Sequence, residues 1–298
     1  MKQNARIFSG FSSLRAFGLV AALATTTGCP ADNNIGVSNP DCDPLVAAKC
    51  GLPWPSNLYL VPDAARKTGY TLTFGATTLP SNADDTHVDP TAWKRLDGYS
   101  VGTPILTLFP NVELAALPTE DKIDRSLAAD APIVLFEAGP SGARRVPYFA
   151  ELDLHETDPQ KQVLIVRPAE ILKEATRYVV AFRNLRDKAG AAFPRSPAFQ
   201  RLIDGSTGDI AALSRRQARF DQTFDFLAAQ GIARDALQLA WDFNTASTDA
   251  YHGDLLAMRD AALKAAGADG IELKVMNVKT LTEQQDAMIF GACLEDTP

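Results

Sequence analysis

The sequence predicts a mainly β fold with helical additions, an α+β class. Three observations predict it. Short runs rich in β-branched and aromatic residues, bounded by Gly and Pro, recur between 70 and 182. Apolar residues then recur at helical spacing in two stretches between 209 and 267. Hydrophobic residues make up 46% of the 298 positions, enough for a sizeable core.

Residues 1–29 precede that fold. Lys2, Arg6 and Arg15 form a positive region, and "FGLVAALA" at 17–24 is a short apolar run. A membrane-spanning helix needs roughly 20 apolar residues, so this segment reads as a bacterial export signal. Two cleavage sites compete. "ALA" at 22–24 fits ordinary secretion. "TTGC" at 26–29 resembles a lipobox, which would make Cys29 a lipid-modified first residue, although Thr26 stands where an aliphatic residue is usual. The polar tether "PADNNIGVSNPD" at 30–41 favours the anchor over an incidental Cys29. The expected partner is therefore a membrane, held through a lipid on Cys29. The expected location is the bacterial cell envelope or the extracellular space.

Residues 30–128 read as an N-terminal β-rich region. In "LPWPSNLYLV" at 52–61, prolines on both sides of Trp54 forbid helix, and Trp54 and Tyr59 are expected to anchor the segment. "YTLTFGATTLP" at 70–80 reads as a hairpin, residues 81–100 are polar, and "TPILTLFP" at 103–110 is a short strand. Residues 129–196 are clearly β. "APIVLFE", a Gly-Pro-Ser-Gly turn and "RRVPYFAELDL" form a strand, a turn and a returning strand, with Pro147 suited to an edge or bulge. "QVLIVRP" at 162–168 reads as buried on both faces. In "RYVVAFRNL", Tyr178, Val180 and Phe182 share one face.

Residues 197–267 read as helix, strand, helix. Asp209 is a candidate cap, and Ile210, Leu213, Phe220, Phe224 and Leu227 form a stripe that Gly231 ends. "LQLAWDFNTAS" at 237–247 alternates, with Leu237, Leu239, Trp241 and Phe243 inward and Gln238, Ala240, Asp242 and Asn244 outward, as in a half-buried strand. The second amphipathic helix has Tyr251, Leu255, Met258 and Ala262 inward. Residues 268–298 begin a further strand system with "GIELKVMNVKTL".

Four cysteines occur: Cys29, Cys42, Cys50 and Cys293. Cys42 and Cys50, in "CDPLVAAKC", are a natural disulfide pair in an oxidising compartment. Two unrelated thiols are the alternative, and zinc is disfavoured because no second Cys or His pair lies nearby. A net charge of −7 and a pI near 5.1 leave no basic stripe for nucleic acid.

Catalytic candidates are sparse. "GYSVG" at 98–102 matches G-x-S-x-G with Ser100 central, but a nucleophile elbow needs a strand before and a helix after it. Here a polar segment precedes and a Pro104-bearing strand follows, so a Gly-rich turn is expected. Of the three histidines, His252 lies on a helix, His155 in a polar loop, and His87 in the acidic loop "NADDTHVDP". That loop has no EF-hand spacing. Trp54, Trp93 and Trp241 fit core anchors better than a sugar or lipid groove. No P-loop, dinucleotide fingerprint, HExxH or CxxC occurs, and no cofactor, metal or catalytic residue is expected.

Three motifs carry a resemblance. Pro168 to Leu172 is a "P-x-x-x-L" turn, Tyr178 to Val180 a "Y-x-V" strand, and Asp187 to Gly190 a "D-x-x-G" turn. With their flanks they resemble a bacterial Ig-like β-sandwich module of the S-layer type. More widely, "LPWPSNLYL", "DPTAWKRLDGYSVGTPI", that module and "AWDFNTAS" are similar to the N-terminal region of large secreted bacterial lipase-like α/β-hydrolases. The resemblance implies an exported, noncatalytic module of an extracellular serine esterase or lipase, with the hydrolase domain downstream as a further partner. It implies a chain truncated before that domain or lacking it, and Cys293 is consistent with a partner further on. A stand-alone cell-surface binding or adhesion lipoprotein is the alternative.

Overall fold

In the computed structural model the described residues are 35, 39–139, 142–208, 210–268 and 270. They belong to the unit that begins at Ile35. Among the described residues nine strands and four α-helices follow in chain order: β1 (Leu60–Pro62), β2 (Tyr70–Leu72), β3 (Ile105–Thr107), β4 (Ile133–Gly139), β5 (Gly142–Arg145), β6 (Tyr148–Leu152), β7 (Leu164–Pro168), β8 (Arg177–Phe182), α1 (Pro197–Asp204), α2 (Ala211–Ser214), α3 (Gln217–Ala229), β9 (Leu239–Asn244) and α4 (Thr248–Ala266). The fold is mainly β with a few helices. All strand pairs are antiparallel: a ribbon β1-β2, a three-stranded sheet β3-β7-β6 and a four-stranded sheet β5-β4-β8-β9. The expected segments share these sheets, since β3 pairs with β7 and β9 pairs with β8.

The expected strand–turn–strand unit forms, and its returning arm divides. β4 and β5 make a hairpin, but after Arg145 the chain leaves for the other sheet as β6. Pro147 sits at that corner. It has no N–H to donate, so it suits a place where one ladder ends and another starts. Val146 fills the corner and is fully buried.

The four-stranded sheet is covered on both faces. On one face Ile133, Tyr178, Val180, Phe182, Trp241 and Phe243 are fully buried. Tyr178 stacks on Phe243, its direct partner across β8 and β9, and Phe182 stacks on Trp241, its diagonal neighbour. The Tyr148 hydroxyl of β6 donates to the Ile133 carbonyl of β4 at 2.7 Å, tying the two sheets. On the opposite face Phe136 meets Phe226 of α3 edge-on, and Arg219 of α3 reaches Asp242 of β9. This second cover corrects the half-buried expectation for 237–247: every residue of β9 is buried, Asp242 included. Alternation reflected two different buried environments, one apolar and one polar.

Other readings are corrected too. β2 pairs with β1 upstream, so 70–80 is no hairpin by itself. The chain turns away at Gly75, where a Cβ would stand 2.1 Å from the Asp41 carboxylate carbon. β7 buries Leu164 and Val166 but leaves Ile165 half-buried, so only one of its faces is fully covered. The single helix expected from 209 is two, because the chain breaks at Arg215 and Arg216 between α2 and α3. α1 was not expected, although Ser196 caps it, Pro197 opens it and Gly205 closes it at φ 67°. α4 forms as expected, but its presumed inward residues Leu255 and Met258 are 63% and 68% exposed. The Asp209 cap, the strand over 271–281, Cys29 and Cys293 lie outside the described residues.

Candidate functional site

The N-terminal segment positions an open groove on the outer face of the three-stranded sheet. Trp54 pairs its backbone with Leu106 of β3 in both directions, at 2.8 and 2.7 Å. Its indole N–H donates to Thr103 Oγ1 at 3.0 Å, and its ring packs against Phe74 and Tyr99. That fixes one wall. Leu106 and Ile165, directly opposite each other across β3 and β7, form part of the lining. Leu52, Leu79, Pro80 and Val163 extend it, and Lys49, His87 and Asp153 place charge and hydrogen-bonding groups in it. The groove measures about 670 Å³, the size of small-molecule sites.

His87 has a defined role in that wall. Its Nδ1 lies 2.6 Å from the Leu79 carbonyl, which can only accept, so Nδ1 carries the hydrogen. In the neutral tautomer with that hydrogen, Nε2 is the acceptor. The arrangement suits an apolar body carrying a hydrogen-bond donor for Nε2. Trp54 thus both anchors its segment and lines a groove, whereas Trp241 is fully buried and Trp93 is half-buried in a 3-10 turn. Sequence reasoning singled out Trp54 but missed Leu106 and Ile165. Their outward placement depends on which face of β3 and β7 the core takes.

Cys42 and Cys50 form a disulfide, with Cα atoms 4.8 Å apart. Cys42 is buried, while Cys50 is exposed and reaches the groove. The short bridged loop holds the 3-10 turn Pro44–Val46, capped by Asp43. Asp43 is fully buried and receives two bonds from Arg216, both 2.9 Å, and one from Ser56. Arg216 also donates to Asn57, Asn57 donates to Asp242, and Asp242 accepts from Arg177 and Arg219. This chain of buried charges joins the N-terminal segment, α3 and the four-stranded sheet. Burial works to raise the Asp242 pKa, but Arg219 and Arg177 outweigh it and hold the carboxyl below its usual range. Burial raises the Tyr99 pKa, and that hydroxyl donates to the Ser56 carbonyl at 2.7 Å.

Ser100 sits in a turn. Its hydroxyl accepts from Gly102 N–H at 3.2 Å, and its carbonyl accepts from Thr103 N–H. β3 follows, with no helix after the motif. Gly98 has a packing reason, because an added Cβ would lie 2.5 Å from the Thr245 backbone. Tyr99 bonds to the end of β9 and the residues just after it, donating to Asn244 and accepting from Ala246. The His155 side chain is fully exposed, and His252 is exposed on α4. In the acidic loop, Asn82 Oδ1 accepts from the N–H groups of Asp84 and Thr86. Among the described residues no three His, Cys, Asp or Glu side chains gather as a metal site. Among them, too, no helix is long and apolar enough to cross a membrane. No family model, curated protein or solved structure matches this chain.

Proposed function

We propose that this chain is an exported, lipid-anchored, noncatalytic β-rich module of a secreted lipase- or esterase-like protein, and that it holds apolar ligands in the groove beside Trp54. The groove carries this reading: a half-buried indole, Leu106 and Ile165 form an apolar surface with one imidazole acceptor beside it. The disulfide supports an oxidising compartment. An Ig-like sandwich over residues 129–196 is supported by β4–β8, which together with β3 and β9 make sheets of three and four strands. It is further supported by Tyr178, whose hydroxyl accepts from Lys173 N–H at 2.7 Å, as a corner tyrosine does. The "D-x-x-G" turn agrees: Asp187 accepts from Ala189 and Ala191 N–H, and Gly190 takes φ 86°.

Membership in a larger protein is favoured by α4, whose Leu255, Leu256, Met258 and Leu263 are exposed among the described residues. Contiguous bare apolar surface of this kind marks an interaction face.

Titration of the purified exported protein with short and long nitrophenyl esters, followed by tryptophan fluorescence, tests the reading. Binding of the long ester without turnover, weakened in Trp54→Ala, is expected. Turnover abolished by Ser100→Ala would overturn the noncatalytic assignment. Intact-mass analysis tests the anchor, with acyl mass on Cys29 expected and an unmodified start at Thr25 opposing it.

A further inference from the structure

The cleft between β1 and the start of α3 carries more positive charge than its neighbouring carboxylates balance. Arg215, Arg216 and Arg219 line it together with Leu58, Leu60 and Val61, around about 420 Å³ of space. Arg216 is committed to Asp43, and Arg219 shares Asp242 with Arg177. Four guanidinium groups therefore meet two carboxylates. Among the described residues Arg215 is the member without a carboxylate partner. Among the described residues its hydrogen bond runs from Nη2 to the Leu58 carbonyl at 3.4 Å, a long contact that leaves its fork underused. Partial burial and then the like charge of Arg216 pull its pKa down, and Asp43 offsets this only in part. The cleft is thus locally cationic in a chain of net charge −7.

A planar fork with free donors matches the two oxygens of a carboxylate or phosphate. Beside it, Val61 and Pro62 of β1 are exposed and extend the wall, Val61 to 41%. A bare inorganic anion would leave that apolar wall wet. We propose that this cleft binds the oxyanion head of an amphiphile, with Arg215 gripping the head and the tail lying against the exposed apolar surface of Val61 and Pro62. The bound anion would supply the missing counter-charge. Arg216 and Arg219 stay in their structural pairs throughout.

Calorimetric titration of the purified protein with sodium octanoate, octyl phosphate and inorganic phosphate tests this. Both octyl compounds should bind, and binding should survive Trp54→Ala, which separates this cleft from the groove. Arg215→Ala should weaken both by about tenfold or more, the scale of a charge-assisted hydrogen bond, with partial recovery in Arg215→Lys and an unchanged Tm. No heat from either octyl ligand, or equal affinity in Arg215→Ala, overturns the proposal. Inorganic phosphate binding as tightly as octyl phosphate overturns the assignment to an amphiphile. Sedimentation with phosphatidylglycerol vesicles distinguishes the sources. Capture lost in Arg215→Ala supports a bilayer headgroup, and octanoate binding without capture supports a soluble amphiphile.

Discussion

β9 and α4 are separated by three residues and differ in almost everything that fixes a chain. β9 has an aromatic layer on one side and α3 on the other, and each of its six residues is buried. α4 is held near its start: Thr248 and Tyr251 bond to Glu174, Asp249 pairs with Lys67 and Asp254 with Arg95. From Leu255 on, its large apolar side chains are exposed among the described residues. The difference shows that an apolar stripe reports a preference for cover, whereas the cover itself comes from distant elements.

Breaking β9 should therefore be severe. Asp242→Ala leaves Arg177 and Arg219 facing a void without their shared carboxylate. Removing one partner of a buried ion pair costs about 3–5 kcal/mol, which a denaturant midpoint will register. The same group predicts a pH effect. Its folded pKa is depressed, so its contribution is complete above the unfolded value of about 3.9 and fades as pH falls through the lower folded value. Acid titration of parent and Asp242→Asn should show the parent's advantage shrinking on acidification; an advantage that grows in acid would contradict the assignment.

Trp241→Ala comes next, since a fully buried large aromatic typically costs about 3–5 kcal/mol to remove. Its indole N–H donates to the Pro55 carbonyl at 2.6 Å, so a buried acceptor is orphaned as well. Trp93→Ala, half-buried in a 3-10 turn, should cost far less. Equal losses would mean that cover on β9 matters less than described. Replacing both Cys42 and Cys50 by Ser should cost about 2–3 kcal/mol from loop entropy alone, measured as a lower Tm than the oxidised parent. The smallest effect belongs to α4. Leu255→Glu and Met258→Glu should change the stability of the isolated chain by less than about 0.5 kcal/mol. A large loss would show that this face is covered in solution.

The strands from 131 to 182 were legible because their alternation, turn glycines and prolines act locally, and the Cys42–Cys50 pair followed from short spacing. The polar face of β9 was not legible. Asp242 and Asn244 look like solvent residues until Arg177, Arg219 and Asn57 arrive from three separate places in the chain. The candidate groove was half legible. Trp54 stood out between its prolines, while Ile165 was hidden inside an apolar run whose two faces the sequence does not distinguish. α1 carried its own signals at Ser196, Pro197 and Gly205 and was overlooked for lack of a long stripe.

The backbone pairing of Trp54 with Leu106 bears on self-association. A sheet edge with free N–H and C=O groups is a template for strand addition by another molecule. At β3 that template is taken by one residue, and Pro53 and Pro55 on either side have no N–H with which to extend a ladder. The other edges are handled in different ways. Ala150 of β6 donates to the Pro118 carbonyl, β9 meets Tyr99 at its end, and β5 carries Arg144 and Arg145. Molecules of this chain are thereby discouraged from stacking edge to edge into fibrils.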